Sequence, residues 1–247
     1  GMDRMIFMAM AAARQTQRAQ GLATNNLVNA GTDGFRADLQ YAMSFNVSGP
    51  GHASRAFSAL RPGGVDLTPG AVMTTGNPLD VAIEGAGLFA VEAPDGEEAY
   101  TRGGALMVDP TGLLRTQAGH PVLGDGGPIV LPPYEQLLIG DDGTISVRPK
   151  GAGGAQLAQV GRLKLVNPEA EAVTKRDDGL LGLRSGRPAD AVEGVRVVSG
   201  ALEASNVNAV GAMVRQMDLA RQFEAQMKLM AAAQTLDEGS DRLLRQG

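Results

Sequence analysis

The 247-residue sequence contains no cysteine and no tryptophan, and its aromatics are held to three Tyr and six Phe. Without cysteine there is no disulfide frame, no thiolate metal site and no cysteine nucleophile, and the redox compartment is left undecided. So few aromatic side chains argue against a large aromatic ligand pocket. Lys and Arg do not predominate: 22 of them face 27 Asp and Glu, a net charge of -5, whereas a nucleic-acid partner requires a basic surface. No apolar run approaches the roughly 18 residues of a membrane-spanning helix. The stretch MDRMIFMAMAAARQTQRAQ turns polar after Ala13 and lacks a small-residue cleavage pattern, so neither membrane insertion nor a cleaved signal peptide is expected. Gly1 ahead of Met2 reads as a residue left by tag removal. Glycine, at 34 residues, is abundant, and its distribution organises the chain.

Three zones differ in texture. From residue 3 to about 30 there is no Gly before Gly21 and no Pro, and Ala, Met, Gln and Arg favour helix. Its apolar face is thin: Met2, Met5, Ile6, Ala9 and Ala13. From about 31 to 200, short apolar or alternating runs are punctuated by Gly, Pro and Asp. LDVAIE (79–84), GLFAVEA (87–93), AYTR (99–102), ALMVD (105–109), PIVLP (128–132), TISVRP (144–149), VGRLKLV (160–166) and GVRVVSG (194–200) are strand candidates. Asp-containing turns at 94–96, 109–112, 125–127, 141–143 and 177–179 separate them. GPGHASRAFSALRPGG (49–64) reads as an exposed or mobile loop. Helix returns from 201 to about 236, capped by Ser205 or Asn206. Met213, Met217, Ala220, Phe223, Met227 and Met230 form one stripe at gaps of three and four. Gly239 is expected to end or interrupt this helix. The fold class is therefore α+β: an N-terminal helix and turn (2–36), a mainly antiparallel β domain (37–200) and a C-terminal amphipathic helix (201–247).

Candidate chemistry yields to structural readings. Gly85-x-Gly87-x-x-Ala90 follows a strand as dinucleotide-binding glycines do, but Pro94-Asp95-Gly96 leaves no room for the helix whose N-terminus would meet the pyrophosphate. A turn between strands is expected instead. His52 and His120 stand apart from any ligand pattern, no Ser sits in a G-x-S-x-G elbow, and the Asp-Gly aspartates have turn roles. No catalytic residue, cofactor, metal or small-molecule substrate is expected. The C-terminal stripe lacks the basic polar face of a membrane-surface helix, with five Lys/Arg against six Asp/Glu in 201–247. Neither terminal stripe has a partner nearby in sequence, which favours packing between chains over an ordinary core.

LATNNLVNAGTDGFRAD resembles the N-terminal signature of the bacterial flagellar rod and hook axial proteins, and SGALEASNVNAVGAMVRQMDLARQFEAQMKLM resembles their C-terminal signature. TTGNPLDVAIEGAGLFAV, AYTRGGALMVDPTGLLRTQAGHPVLG and GPIVLPP resemble their central region, so the likeness covers nearly the whole chain. The length, PIVLPP and RQFEAQMKLM favour the proximal-rod branch over the distal one. The resemblance implies a non-enzymatic structural subunit of the basal-body rod, exported through the flagellar type III apparatus and assembled with itself and other axial proteins into the drive shaft across the periplasm. It also implies terminal helices that form a coiled-coil-like inner layer on assembly. The implied interface is Met5, Ile6, Ala9, Asn25, Asn26, Leu27, Asn29 and Phe35 at one end, and Val210, Met213, Met217, Ala220, Phe223, Met227 and Met230 at the other. Asn25, Asn26, Asn29, Gly31 and Gly34 would turn the chain out of the helix, with Phe35 plugging the junction. NAGTDGF departs from the usual NANTTGF at that turn. The alternative is a soluble or secreted β-domain binding module with helical tails.

Overall fold

A computed structural model describes residues 2–36, 38–46, 56–151, 153, 154 and 156–245. The chain forms two compact units, Gly1–Val28 with Asp38–Gly63 and Asn208–Gly247, and Asn29–Ala37 with Gly64–Val207.

The first unit contains helix α1 (Met2–Val28) and helix α2 (Ala209–Arg245), together with most of a two-stranded sheet made from Asp38–Asn46 and Ala56–Val65. The reading of 49–64 as a loop is thus corrected over 56–64, while 49–55 lies outside the described residues. α1 buries Ala9, Ala13, Thr16, Ala19 and Ala23, spaced by three and four as one face of a helix requires. On α2 the least exposed positions are Ala212, Gln216, Leu219, Phe223, Gln226, Met230 and Ala233, again at steps of four and three. Leu219 packs on Ala19 and Ala23, and Gln216 Nε2 donates to Thr24 Oγ1 at 2.7 Å, so the two helices pair with their chains antiparallel. The stripes therefore do have a partner within the chain. It lay almost 200 residues away, beyond the reach of any local pattern.

α2 begins later than its sequence signals imply. Residues 201–203 are a strand, and the cap is Asn208, whose Oδ1 accepts from Gly211 N at 3.0 Å. Helix then continues through Gly239, because a lone glycine lowers propensity without breaking the backbone pattern.

The second unit is β-rich. A five-stranded antiparallel sheet orders Leu165–Val166, Leu88–Glu92, Glu98–Thr101, Leu181–Leu183 and Val173–Lys175. A second sheet orders Tyr134–Ile139, Thr144–Pro149 and Ala158–Arg162. Four strand pairs accompany them: Val81–Glu84 with Arg196–Ser199, Val72–Thr74 with Ala201–Glu203, Leu106–Val108 with Leu114–Thr116, and Leu123–Gly124 with Gly127–Pro128. Val81, Phe89, Val91, Leu114, Ile145 and Val147 lie in the core between these elements. Turn chemistry sets the connections: Asp95, Asp109, Asp142 and Asp178 each accept an amide two residues on, at 2.8–3.0 Å. Two strand candidates are shorter than their apolar runs. VGRLKLV splits into 158–162 and 165–166, and PIVLP keeps only Gly127–Pro128 plus a bridge at Val130.

Candidate assembly interface

The helical unit separates the C-terminal stripe into two rows. Phe223 and Met230 are half-buried on the row that includes Leu219, whereas Val210, Met213, Met217, Ala220 and Met227 are exposed, Met217 by 57%. Met213, Met217, Ala220 and Met227 each follow an inward residue by one position, about 100° around the helix. The single stripe read from sequence thus joins an inner row to an outer one, and only the outer row is free in the isolated chain. Val214 extends the outer row. On α1, Ala9 belongs to the helix pair, Ile6 is half-buried, and Met5, Phe7 and Met10 are exposed. Asn25 is exposed, and Asn26 and Leu27 are half-buried; all three lie inside α1.

The chain leaves α1 through a turn that belongs to the β unit. Thr32 N donates to Asn29 O at 3.0 Å and Phe35 N to Thr32 O at 3.2 Å. The described asparagines all keep negative φ; only Gly34 of the expected turn set is left-handed, at φ +67. That position admits no side chain, because a Cβ there would lie 2.5 Å from the Arg102 carbonyl carbon and from Gly103 N. Gly34 N instead donates to Glu203 O at 2.7 Å. Half-buried Phe35 lies under Lys175, whose Nζ sits 3.9 Å from the ring centroid and donates to Arg36 O at 3.1 Å. Asn206 N donates to Phe35 O at 3.1 Å, and its side-chain amide donates to Asp66 O and Thr68 O.

Next to this turn is a buried ionic cluster. The Glu203 carboxylate pairs with Arg36 through one oxygen and Arg102 through the other, and all three side chains are at most 2% exposed. Arg102 also donates to the carbonyls of Gly85, Gly87 and Ile83 at 2.7, 2.9 and 3.2 Å. The Gly85/Gly87 turn between strands is thereby held through its own carbonyls. Desolvation pulls the Arg36 pKa below its ordinary value, against the raising influence of Glu203. Neither Arg36, Arg102 nor Glu203 was legible as a site residue: each is one charged residue beside a strand or turn, without periodicity. Among the described residues, no group of three or more His, Cys, Asp and Glu could hold a metal ion, and no helix is long and apolar enough to cross a membrane. His120 is half-buried in a turn, its amide donating to Thr116 Oγ1 at 3.2 Å; His52 lies outside the described residues.

Two family models match the chain: the C-terminal region of flagellar basal-body rod FlgEFG proteins over residues 198–243, and the D1 domain of flagellar hook protein FlgE/F/G over residues 82–147. The flagellar basal-body rod protein FlgF of Salmonella typhimurium is 42% identical over 249 residues, covering 98% of this chain and 99% of its own. The chain belongs to the flagellar basal-body rod protein family. FlgF of Escherichia coli is 44% identical over 237 residues, covering 94% of each chain, and FlgF of Caulobacter vibrioides 31% over 240 residues, covering 93% of each. A FlgG rod protein of Buchnera aphidicola is 31% identical over 235 residues, covering 83% of this chain and 86% of its own. The near-complete coverage by FlgF proteins agrees with the resemblance seen at both signatures. This rod protein is a structural subunit of the flagellar basal body, with its terminal helices paired in one unit and its β-rich body in the other.

Proposed function

We propose that this subunit builds the proximal rod by packing its terminal helices against neighbouring subunits, both copies of itself and other axial proteins, in the drive shaft that crosses the periplasm. The exposed outer row of α2, Val210, Met213, Val214 and Met217, carries this reading. Apolar side chains left in water on a helix whose other face is already paired gain stability only when a further surface covers them. Met is suited to the task because its unbranched side chain adapts to partners that are similar without being identical. Phe7 and Met10, about 60° apart around α1, would supply a second apolar patch, with Met5 exposed on another face.

In this reading residues 2–36 and 201–247 are the assembly segments, 37–200 is the body between them, and no step is catalytic. Asn25, Asn26, Leu27, Asn29 and Phe35 contribute by setting the chain's exit from α1, and Ala9, Phe223 and Met230 by holding the helix pair that presents the outer row. Delivery is through the flagellar type III export apparatus. The test is complementation of a strain lacking the gene with Met213→Asp/Met217→Asp. Electron microscopy of its basal bodies should show rods that stop short, and the purified variant should keep the wild-type thermal unfolding midpoint. Complete rods and normal swimming would reject the interface, and a large loss of monomer stability would reassign both methionines to the core.

A further inference from the structure

Glu203 bonds three separate stretches of the β unit. Its backbone carbonyl accepts from Gly34 N, one carboxylate oxygen accepts from Arg36 and from Gly70 N at 3.2 Å, and the other accepts from Arg102. One carboxylate therefore faces two buried guanidinium groups. The two arginines do not depend on it equally. Arg102 has three backbone carbonyls besides Glu203, whereas Arg36 Nε and Nη1 have no partner and its hydrogen bond runs to Glu203. With Glu203 neutralised, the negative charge and one of its two accepting oxygens are lost, Arg36 is left a buried cation without a counter-charge, and the inexpensive escape is for residues 34–36 to leave the β unit for water. Arg102 has less reason to move.

We propose that Glu203 is a conformational latch for the segment by which the chain leaves α1: residues 34–36 stay seated on the β unit only while Glu203 is in place, and they open before the sheets do. The latch also sets an order. Its other members lie at 34–36, 70 and 102, while Glu203 sits in the strand Ala201–Glu203, which pairs with Val72–Thr74. The N-terminal exit segment is thus locked in the same step that seats the strand leading to α2, so both ends of the β unit are completed together. This does not rest on the rod reading and is tested without flagella.

The experiment is amide hydrogen exchange on the full chain. Glu203→Gln should speed exchange at Gly34, Gly70 and Asn206 by at least about 100-fold, while Ala90 and Leu114 in the sheet core stay within about threefold. Arg36→Met leaves Glu203 and Arg102 as a balanced pair, so Gly34 and Asn206 should exchange about tenfold faster with Gly70 unchanged. Wild-type protection of Gly34 in Glu203→Gln, or acceleration of Gly34 in step with the core amides, overturns the latch. If Glu203→Gln does not fold, Arg36→Met decides: selective opening at Gly34 supports the latch, and no change or a uniform change rejects it.

Discussion

Truncating Leu219 to Ala separates the inner and outer rows of α2 by magnitude. Leu219 is 1% exposed and rests on Ala19 and Ala23, two side chains with no rotamer that could swing into the space it vacates. The cavity therefore persists, which points to the upper part of the 2–5 kcal/mol range for buried Leu→Ala. A contact between only two helices relaxes more readily than a deep core, which brings the expected cost to about 2–3 kcal/mol. Met217, two residues earlier and 57% exposed, should cost under about 0.5 kcal/mol when replaced by Ala, since little contact is lost and Ala has the better helix propensity. With a urea slope near 1–1.5 kcal/mol/M for a small unit, Leu219→Ala should lower the helix midpoint by about 2 M and Met217→Ala should barely move it. The measurement is urea unfolding followed by far-ultraviolet circular dichroism, with β-unit amide exchange recorded in parallel because the two units need not melt together. A Met217→Ala shift as large as that of Leu219→Ala, or a silent Leu219→Ala, would refute the intramolecular helix pairing.

Gly34→Ala should destabilise the β unit by more than about 2 kcal/mol, since it combines left-handed backbone strain with a clash against the Arg102 backbone; an unchanged thermal midpoint would show that the turn can relax. The acid limb of stability should follow the turn aspartates. Asp109 is held well below the usual carboxylate range by the Thr111 hydroxyl and then by Arg115, Asp95 is lowered by the Glu97 amide and then Arg176, and Asp142 is lowered by Thr144. These depressed folded-state values mean that the contribution is fully present above pH about 4 and is lost as pH falls through them; Asp109→Asn should flatten that limb in melting curves. At the other extreme, burial and then Glu98 push the Tyr100 hydroxyl up to about 12, outweighing its bond from the Ala189 amide. Its contribution is therefore present below pH about 10 and is lost as pH rises toward that folded value, so Tyr100→Phe should remove the alkaline limb.

Turn aspartates and the strands beside them were legible because their causes are local: a carboxylate accepting an amide two residues on, a glycine at positive φ, an alternation of side chains. α1 and α2 were legible from composition and three-four spacing, although the start of α2 was misplaced because Ser205 and Asn206 are as chemically able to cap as Asn208. The two rows of α2 read as one stripe because Phe223, Met227 and Met230 are all apolar, and an apolar position one step around a helix satisfies the same spacing test. Arg36, Arg102 and Glu203 carried no local signal.

By itself, then, the sequence determined the α+β class, the helical ends, the run of Asp-Gly turns and, through its two terminal signatures, the rod and hook family. Tertiary structure alone decided which face of α2 is already occupied, that a row of alanines on α1 is where the second helix seats, and that one carboxylate joins arginines 167 and 101 residues away. The physical reason is range: propensity and turn chemistry act over a few residues, whereas helix seating and the pairing of buried charges depend on which distant surfaces meet and exclude water together.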